Sequence, residues 1–310
     1  MADKEMRAVY CDTLKNLAAK DKRICVLEAD LMKASGTTAF KTAFPDRTID
    51  VGVAEANLVG VAAGLSAAGK IPFAATFGCF ATRRCFDQFF LSANYARLNV
   101  KLVGTDPGIS AAFNGGTHMP FEDIGAMRLV PGLCIFEPSD PVSLEKLMEA
   151  SAAHKGCTYM RLHRKAMPVI YKSDESFSLG KGKLLRDGKD VVIIALGAIM
   201  VGEALKAADA LEKQGVSAAV IDILTVKPID RELILNYAAK TRRIITAENH
   251  QAACGLGGAV AELCAVEQPT PIAMVGIHDE FGEVGTQDYL LQRFKLGADE
   301  IVKQAQKMMK

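Results

Sequence analysis

One acidic residue stands inside a long run of small and apolar residues. Glu55 is the only charged side chain between Asp50 and Lys70, in the segment DVGVAEANLVGVAAGLSAAGK. It falls where a predicted strand ends and a predicted apolar helix begins. A buried carboxylate without a countercharge holds its proton or meets a basic nitrogen, which suits acid–base chemistry near neutral pH. The alternative is a first-turn glutamate that favours the helix dipole and points into water.

An aromatic pair and a glycine-rich turn follow this carboxylate along the chain. Phe77 and Phe80 stand in ATFGCFATRR, directly after a predicted strand, where a flat heteroaromatic ring could stack on them. Ordinary core packing is the alternative for such a pair. His118 ends the turn NGGTH, in which glycine lets the backbone approach a ligand closely, whereas a loop histidine without a ligand is simply solvated.

The elements that must position these residues alternate between strand and helix, which predicts parallel α/β architecture. Short apolar runs such as 24–28 and 71–75 are typical of buried strands, and 84–97 and 293–309 have the pattern of helices. The stretch 168–190 is rich in Lys, Ser, Asp and Gly and indicates a linker with a small hairpin. We therefore predict two domains, at residues 1–175 and 191–310, with a linker at 176–190.

Composition narrows the class of protein. The chain has 310 residues, half of them apolar, and a formal net charge of +1, which argues against a nucleic-acid or membrane-surface binder. The eight cysteines are scattered without a C-x-x-C pair, so they are interpreted as buried thiols in a reducing cytosol. No secretory signal is visible at the N-terminus. We expect a cytoplasmic protein.

Four motifs give the chain a resemblance to a known family: VGVAEANLVGVAAGL, ATFGCFATRRCFDQ, GGTHMPFEDIGAMRLVPG and EPSD. In this order and spacing, residues 50–140 resemble the pyrimidine-binding domain of transketolases, and the similarity continues weakly to the C-terminus. The resemblance implies two parallel or mixed-sheet α/β domains and a thiamine diphosphate cofactor. It implies that Glu55 hydrogen-bonds the pyrimidine N1′, so that the imino nitrogen can remove the thiazolium C2 proton. Phe77 and Phe80 would line the aminopyrimidine pocket.

The same resemblance suggests substrate-binding residues. His118 matches a histidine that contacts the sugar or the two-carbon intermediate, and Asp30, in EADLMKASG, matches an aspartate loop of the pocket. Arg7 and Arg164 match arginines that clamp the terminal anion of a sugar phosphate, a task that suits the guanidinium fork.

The substrate segment also departs from the family pattern, since it reads TDPGISAAFNGGTH. Asp106 stands near the expected phosphate-contacting histidine, Asn114 replaces the substrate-contacting aspartate, and Arg83 and Arg84 add cations after the aromatic pair. Losing a cation at one place and gaining others suggests a rearranged anion site. We therefore expect an unusual ketose, with a terminal anion that differs from that of a standard pentose phosphate.

The motif that usually holds the cofactor's diphosphate through Mg²⁺, Gly-Asp-Gly followed by Asn, does not occur in the chain. The GLGGAV cluster at 255–260 lacks the lysine of a phosphate loop and is better explained by helix packing. We therefore expect the diphosphate and Mg²⁺ to be held mainly by a partner, the N-terminal transketolase subunit, in a heterotetramer with two active sites.

These observations predict a transferase: the C-terminal subunit of a split transketolase, which moves a two-carbon ketol unit between sugars and is active only with its partner. Deoxyxylulose-phosphate synthase and the β subunit of a 2-oxoacid dehydrogenase are rivals within the thiamine enzymes. A silent regulatory subunit that keeps the fold is a rival of a different class, against which the retention of Glu55 and both phenylalanines speaks.

Overall fold

The computed structural model describes residues 4–310, which form two compact units. The first unit contains the chain up to Pro107 together with Ala126–Leu179, and the second contains Gly108–Gly125 and Gly180–Lys310. Both units are α/β, so the predicted fold class is confirmed. The domain boundaries at 175 and 191 remain a prediction.

Six strands of the first unit pair in parallel, in the order β5-β6-β4-β3-β1-β2. The central strands are buried along their length, including Lys101 in β4 and Arg161 in β6, because a parallel sheet is covered on both faces. The strands are β1 (Ile24–Glu28), β2 (Thr48–Asp50), β3 (Ile71–Phe77), β4 (Lys101–Thr105), β5 (Cys134–Phe136) and β6 (Thr158–Leu162).

The helices between these strands carry small or apolar residues on the side that is packed. In α4, for example, Leu58, Val59, Ala62 and Ala63 are buried, which agrees with the apolar helix predicted to begin near Glu55. The helices up to β6 are α1 (Met6–Lys20), α2 (Met32–Ser35), α3 (Thr38–Ala43), α4 (Glu55–Ala67), α5 (Gly78–Arg83), α6 (Phe86–Gln88), α7 (Asp123–Arg128) and α8 (Pro141–Ala153).

The prediction of one continuous helix at 84–97 is wrong, because this segment is divided into shorter elements. Helix α5 ends at Arg83, α6 covers one turn, and Phe89–Tyr95 is a π-helical turn. The Asn94 side chain donates to the Phe89 carbonyl at 2.7 Å, which satisfies a backbone acceptor from outside the α-helical ladder.

Five strands form the sheet of the second unit, in the order β12-β11-β8-β9-β7. All pairs are parallel except that of β7 with β9. The strands of this unit are β7 (Lys183–Arg186), β8 (Val191–Leu196), β9 (Ala218–Asp222), β10 (Thr225–Lys227), β11 (Ile244–Gln251) and β12 (Ile272–Ile277). Its later helices are α9 (Gly197–Glu212), α10 (Arg231–Thr241), α11 (Leu256–Glu267), α12 (Gln287–Arg293) and α13 (Ala298–Met309).

Two further expectations change in this unit. The small hairpin expected within 168–190 is wrong, because β7 pairs with the distant strand β9 instead. The closing helix expected at 293–309 begins only at Ala298, after a turn in which Lys295 adopts a positive φ of 54°. Seven of the eight cysteines are buried, as predicted, and Cys254 is exposed. Within residues 4–310, no helix combines the length and apolar character needed to cross a membrane.

Candidate active site

The candidate residues of the first unit gather where its parallel strands end. Asp30 follows β1, Glu55 follows β2 after a short turn, Phe77 closes β3, and Asp106 follows β4. Since parallel strands end at a common edge, and ligands of open α/β sheets bind at that edge, four separate sequence motifs meet there.

Glu55 is the first residue of α4 and is only 4% exposed. Both of its carboxylate oxygens accept hydrogen bonds from Nη1 of Arg84, at 2.9 and 3.1 Å. The interpretation of Glu55 as a solvated first-turn residue is therefore wrong. A buried carboxylate is costly unless a cation or a proton neutralises it, and Arg84 supplies the cation here.

Arg84 also lies on the aromatic pair. Its guanidinium carbon is 3.7 Å from the centre of the Phe80 ring, while the rings of Phe77 and Phe80 are 5.9 Å apart in an edge-on arrangement. The Arg84 side chain is 48% exposed, so the cation reaches from solvent over the ring to the buried carboxylate. Arg83, which was the predicted substrate residue, is exposed and donates from Nε to the Cys79 carbonyl at 3.3 Å.

A second cluster joins the predicted anion-binding residues. Arg164 places Nε 2.7 Å from the Asp106 carboxylate and donates from Nη1 to the Ala34 carbonyl at 3.3 Å. The Arg7 amide donates to the Arg164 carbonyl at 3.2 Å, and the Arg7 guanidinium holds the Glu5 carboxylate at 2.8 Å. The structure thus brings Arg7, Asp106 and Arg164 together, and their role in binding a substrate anion stays a prediction.

Asp106 is 2% exposed and adopts a positive φ of 57°. Burial raises the pKa of this carboxyl, and the neighbouring Arg164 cation opposes that rise. Arg164 also lies 5.2 Å from the centre of the Phe77 ring, measured at its guanidinium carbon. The aromatic pair therefore has a cation at each end.

Asp30 is exposed and begins the turn after β1 with a positive φ of 60°. Its amide donates to Asp50 Oδ1 at 2.9 Å, and the same oxygen accepts from the Gly52 amide at 3.0 Å. Asp50 therefore ties the turn after β1 to the turn that leads into Glu55. This leaves the Asp30 carboxylate at the strand edge, in contact with solvent.

Asn114 and His118 lie in the second unit, on two 3₁₀ turns. Thr117 Oγ1 and His118 Nδ1 are 2.9 Å apart. A side-chain carbon on Gly116 would come within 2.0 Å of the Gly282 carbonyl oxygen, so this glycine is needed for close packing of two backbone segments. The sequence analysis explained glycine in this turn by the approach of a ligand, whereas this contact explains Gly116 by backbone packing.

The sequence analysis missed a buried carboxylate at the end of β1. Glu28 is fully buried, and its Oε1 accepts hydrogen bonds from Ser35 Oγ at 2.6 Å and Thr37 Oγ1 at 2.5 Å. Burial raises the pKa of Glu28 to about 7, which the two hydroxyl donors oppose. The only signal in the sequence was an acidic residue at the end of an apolar run.

In the second unit, the glycine cluster at the start of α11 serves packing. The amides of Leu256 and Gly257 both donate to the Glu248 carboxylate at 2.7 Å, so the protein's own carboxylate occupies the helix N-terminus. A side-chain carbon on Gly255 would lie 1.9 Å from Glu248 Oε2. Helix packing rather than a phosphate loop therefore explains these glycines.

Two family models cover most of the chain. The model described as the transketolase pyrimidine binding domain matches residues 2–169, and the one described as the transketolase C-terminal domain matches residues 180–301. A 6-deoxy-6-sulfo-D-fructose transketolase subunit from Clostridium sp. (strain MSTE9) is 51% identical, over 97% of this chain and 93% of that protein.

A solved structure described as a split gene transketolase, inactive beta4 tetramer, has a TM-score of 0.91 and 42% sequence identity, and covers 98% of this chain and 97% of that chain. A 1-deoxy-D-xylulose-5-phosphate synthase from Heliobacterium modesticaldum is less similar, at 35% identity over 97% of this chain but only 46% of its own length. The chain belongs to the transketolase family, as a subunit made of the pyrimidine-binding and C-terminal domains.

Proposed function

We propose that this chain is the catalytic C-terminal subunit of a split transketolase, which transfers a two-carbon ketol unit between sugars with thiamine diphosphate. The observation that carries the proposal is the buried Glu55 carboxylate, which Arg84 links to the Phe77–Phe80 ring pair at the carboxyl ends of the strands. A regulatory subunit without catalytic function would not need an ionisable group at this position.

The residues present fit the aminopyrimidine half of the cofactor. Thiamine diphosphate, when bound, supplies a carbon nucleophile that adds to the ketose carbonyl. Glu55 would hold the proton at the pyrimidine N1′, because a buried carboxyl shares a proton with a basic ring nitrogen at lower cost than it bears a bare charge. Phe77 and Phe80 would bind the flat ring by stacking and exclude water from it.

We propose that the diphosphate and Mg²⁺ are held mainly by a partner chain, the N-terminal transketolase subunit, in a heterotetramer with two active sites. The similarity to a split-gene transketolase supports a separate partner chain. Seven buried cysteines suit a reducing compartment, and we place the complex in the cytoplasm.

The charges near Arg164 favour a ketose with a singly charged end. Two cations, Arg7 and Arg164, are matched by two carboxylates, Glu5 and Asp106, and Lys165 near Asp106 adds one excess positive charge to this cluster. A sulfonate carries one negative charge, whereas a phosphate monoester carries nearly two at neutral pH. The name of the similar Clostridium subunit contains a sulfonated ketose, 6-deoxy-6-sulfo-D-fructose, and we propose the same class of donor for this chain. His118, Asn114, Asp30 and Arg83 remain candidates for contacts with the sugar.

The test is reconstitution with the partner subunit, thiamine diphosphate and Mg²⁺, followed by steady-state assays of ketol donors. We expect 6-deoxy-6-sulfo-D-fructose to exceed fructose 6-phosphate and xylulose 5-phosphate in kcat/KM. Full activity on the phosphorylated donors would refute the substrate proposal. Decarboxylation of pyruvate would favour the deoxyxylulose-phosphate synthase or 2-oxoacid dehydrogenase types, and a reconstituted complex without any turnover would favour the silent subunit.

A further inference from the structure

Arg84 contacts Glu55 and Phe80, two of the residues that the proposed function assigns to binding the pyrimidine ring. One nitrogen of its guanidinium bonds both oxygens of Glu55, and the guanidinium plane covers the face of Phe80 at 3.7 Å. A pyrimidine ring stacked on Phe80 and bonded to Glu55 would need this same space. The cation and the ring therefore compete for one position.

The two partners differ in their freedom to move. Glu55 is 4% exposed and begins a packed helix, whereas the Arg84 side chain is 48% exposed and projects from the last turn of α5. Rotating an exposed arginine into water costs little, since its charge is solvated there. Arg84 is thus the partner that can leave.

We propose that Arg84 is a positioning residue that keeps Glu55 ionised in the absence of cofactor and is displaced when the cofactor binds, so that binding takes up one proton. This inference rests on the proposed function. The ion pair breaks, Arg84 keeps its proton and turns to solvent, and one proton from the buffer enters the Glu55–pyrimidine hydrogen bond in place of the cation.

Among the described residues, the Cys85 thiol is a further titratable group that interacts with Glu55. Burial, helped by the Glu55 charge, raises the pKa of Cys85 to about 12, so this thiol stays neutral and adds no second negative charge beside Glu55. In neither protonation state could it replace the Arg84 cation. The positive end of α4 favours the carboxylate but does not carry a full charge. Without Arg84, a bare charge on the buried Glu55 carboxyl would be costly, so this group would need another cation or a proton to neutralise it.

The experiment is calorimetric titration of the complex with thiamine diphosphate, at saturating Mg²⁺, in buffers of different ionisation enthalpy. We expect uptake of about one proton per site for the wild type and almost none for Arg84→Gln. Between pH 7 and 8 the apparent Kd should weaken roughly tenfold for the wild type and stay nearly flat for Arg84→Gln. Arg84→Lys keeps the charge and should retain the uptake.

Arg23→Gln is the matched control, because it removes an arginine from a surface pair with Asp21 in the same unit and should titrate like the wild type. Glu55→Gln should bind without proton uptake, and adding Arg84→Gln to it should change nothing further. Equal uptake by wild type and Arg84→Gln would overturn the inference and leave the proposed function standing. Undiminished uptake by Glu55→Gln, or a wild-type complex that binds no thiamine diphosphate, would overturn both.

Discussion

Asparagine at position 106 should shift the preference of the enzyme from a sulfonated towards a phosphorylated ketose. The Asp106 carboxylate is buried and lies 2.7 Å from Nε of Arg164, on one edge of the guanidinium. A substrate anion held by the opposite edge feels the attraction of Arg164 and the repulsion of Asp106. Asp106→Asn keeps the shape of the side chain and removes only the repulsion.

The size of the shift follows from the geometry. An anion on the far edge of the guanidinium would be about 7 Å from the carboxylate, where one charge pair at an effective dielectric of ~20 interacts by about 2 kcal/mol. A phosphate carries about one more negative charge than a sulfonate, so the preference should move by that amount at most. Solvent near Arg164, which is 20% exposed, reduces the expected shift to about 1–2 kcal/mol, or roughly 5- to 30-fold.

The assay is the ratio of kcat/KM for fructose 6-phosphate to that for 6-deoxy-6-sulfo-D-fructose in the reconstituted complex. A ratio cancels any loss common to both donors, such as a small reorientation of Arg164. Asp21→Asn, which breaks a surface Asp–Arg pair in the same unit, should leave the ratio unchanged. If Asp106→Asn also left it unchanged, the charge argument for the donor would be refuted.

Three further predictions concern stability. Glu28 binds a proton in the folded state up to about pH 7, so the wild-type free energy of unfolding should fall between pH 4.5 and 7 and level off above pH 7. In urea denaturation, Glu28→Gln should remove this slope and be more stable than the wild type by about 3 kcal/mol at pH 8. Parallel pH profiles for the two proteins would contradict the burial argument. Glu137→Ala takes the carboxylate from the buried Arg161 and should cost about 3–5 kcal/mol in urea denaturation, whereas a cost below about 1 kcal/mol would mean that solvent reaches the pair. Gly104→Ala would place a carbon 2.4 Å from the Tyr159 hydroxyl and should lower stability by about 1–3 kcal/mol in thermal melts. Adding Tyr159→Phe should recover part of the lost stability. The recovery should be incomplete, because the new carbon would still contact the Gly78 backbone.

Much of the fold follows from local pattern. Continuous apolar runs predicted β1 and β3, and the small-residue segment predicted α4, because both are packed against other elements along their length. The π-helical turn at Phe89–Tyr95 could not be predicted in this way, since it depends on one side-chain hydrogen bond from Asn94. The pairing of β7 with β9 could not be predicted either, because these strands are far apart in the sequence.

In the candidate site too, local features could be predicted from the sequence and non-local contacts could not. Glu55 was visible because a lone carboxylate in an apolar helix is costly unless it is neutralised. The sequence analysis took Arg83 rather than Arg84 as a candidate, although the spacing of four residues from Phe80 places Arg84 beside that ring on a helical turn. The ion pair of Asp106 with Arg164 depends on the adjacency of β4 and β6, which no local pattern encodes.

The most direct test of the account is the rate at which the C2 proton of bound thiamine diphosphate exchanges with deuterium in the reconstituted complex. Glu55→Gln keeps the shape of the side chain and a hydrogen-bonding amide but cannot transfer a proton. We expect this variant to slow the exchange by about 10²- to 10⁴-fold while the cofactor remains bound. Exchange at the wild-type rate would contradict the role of Glu55, and with it the proposed catalytic function of the chain.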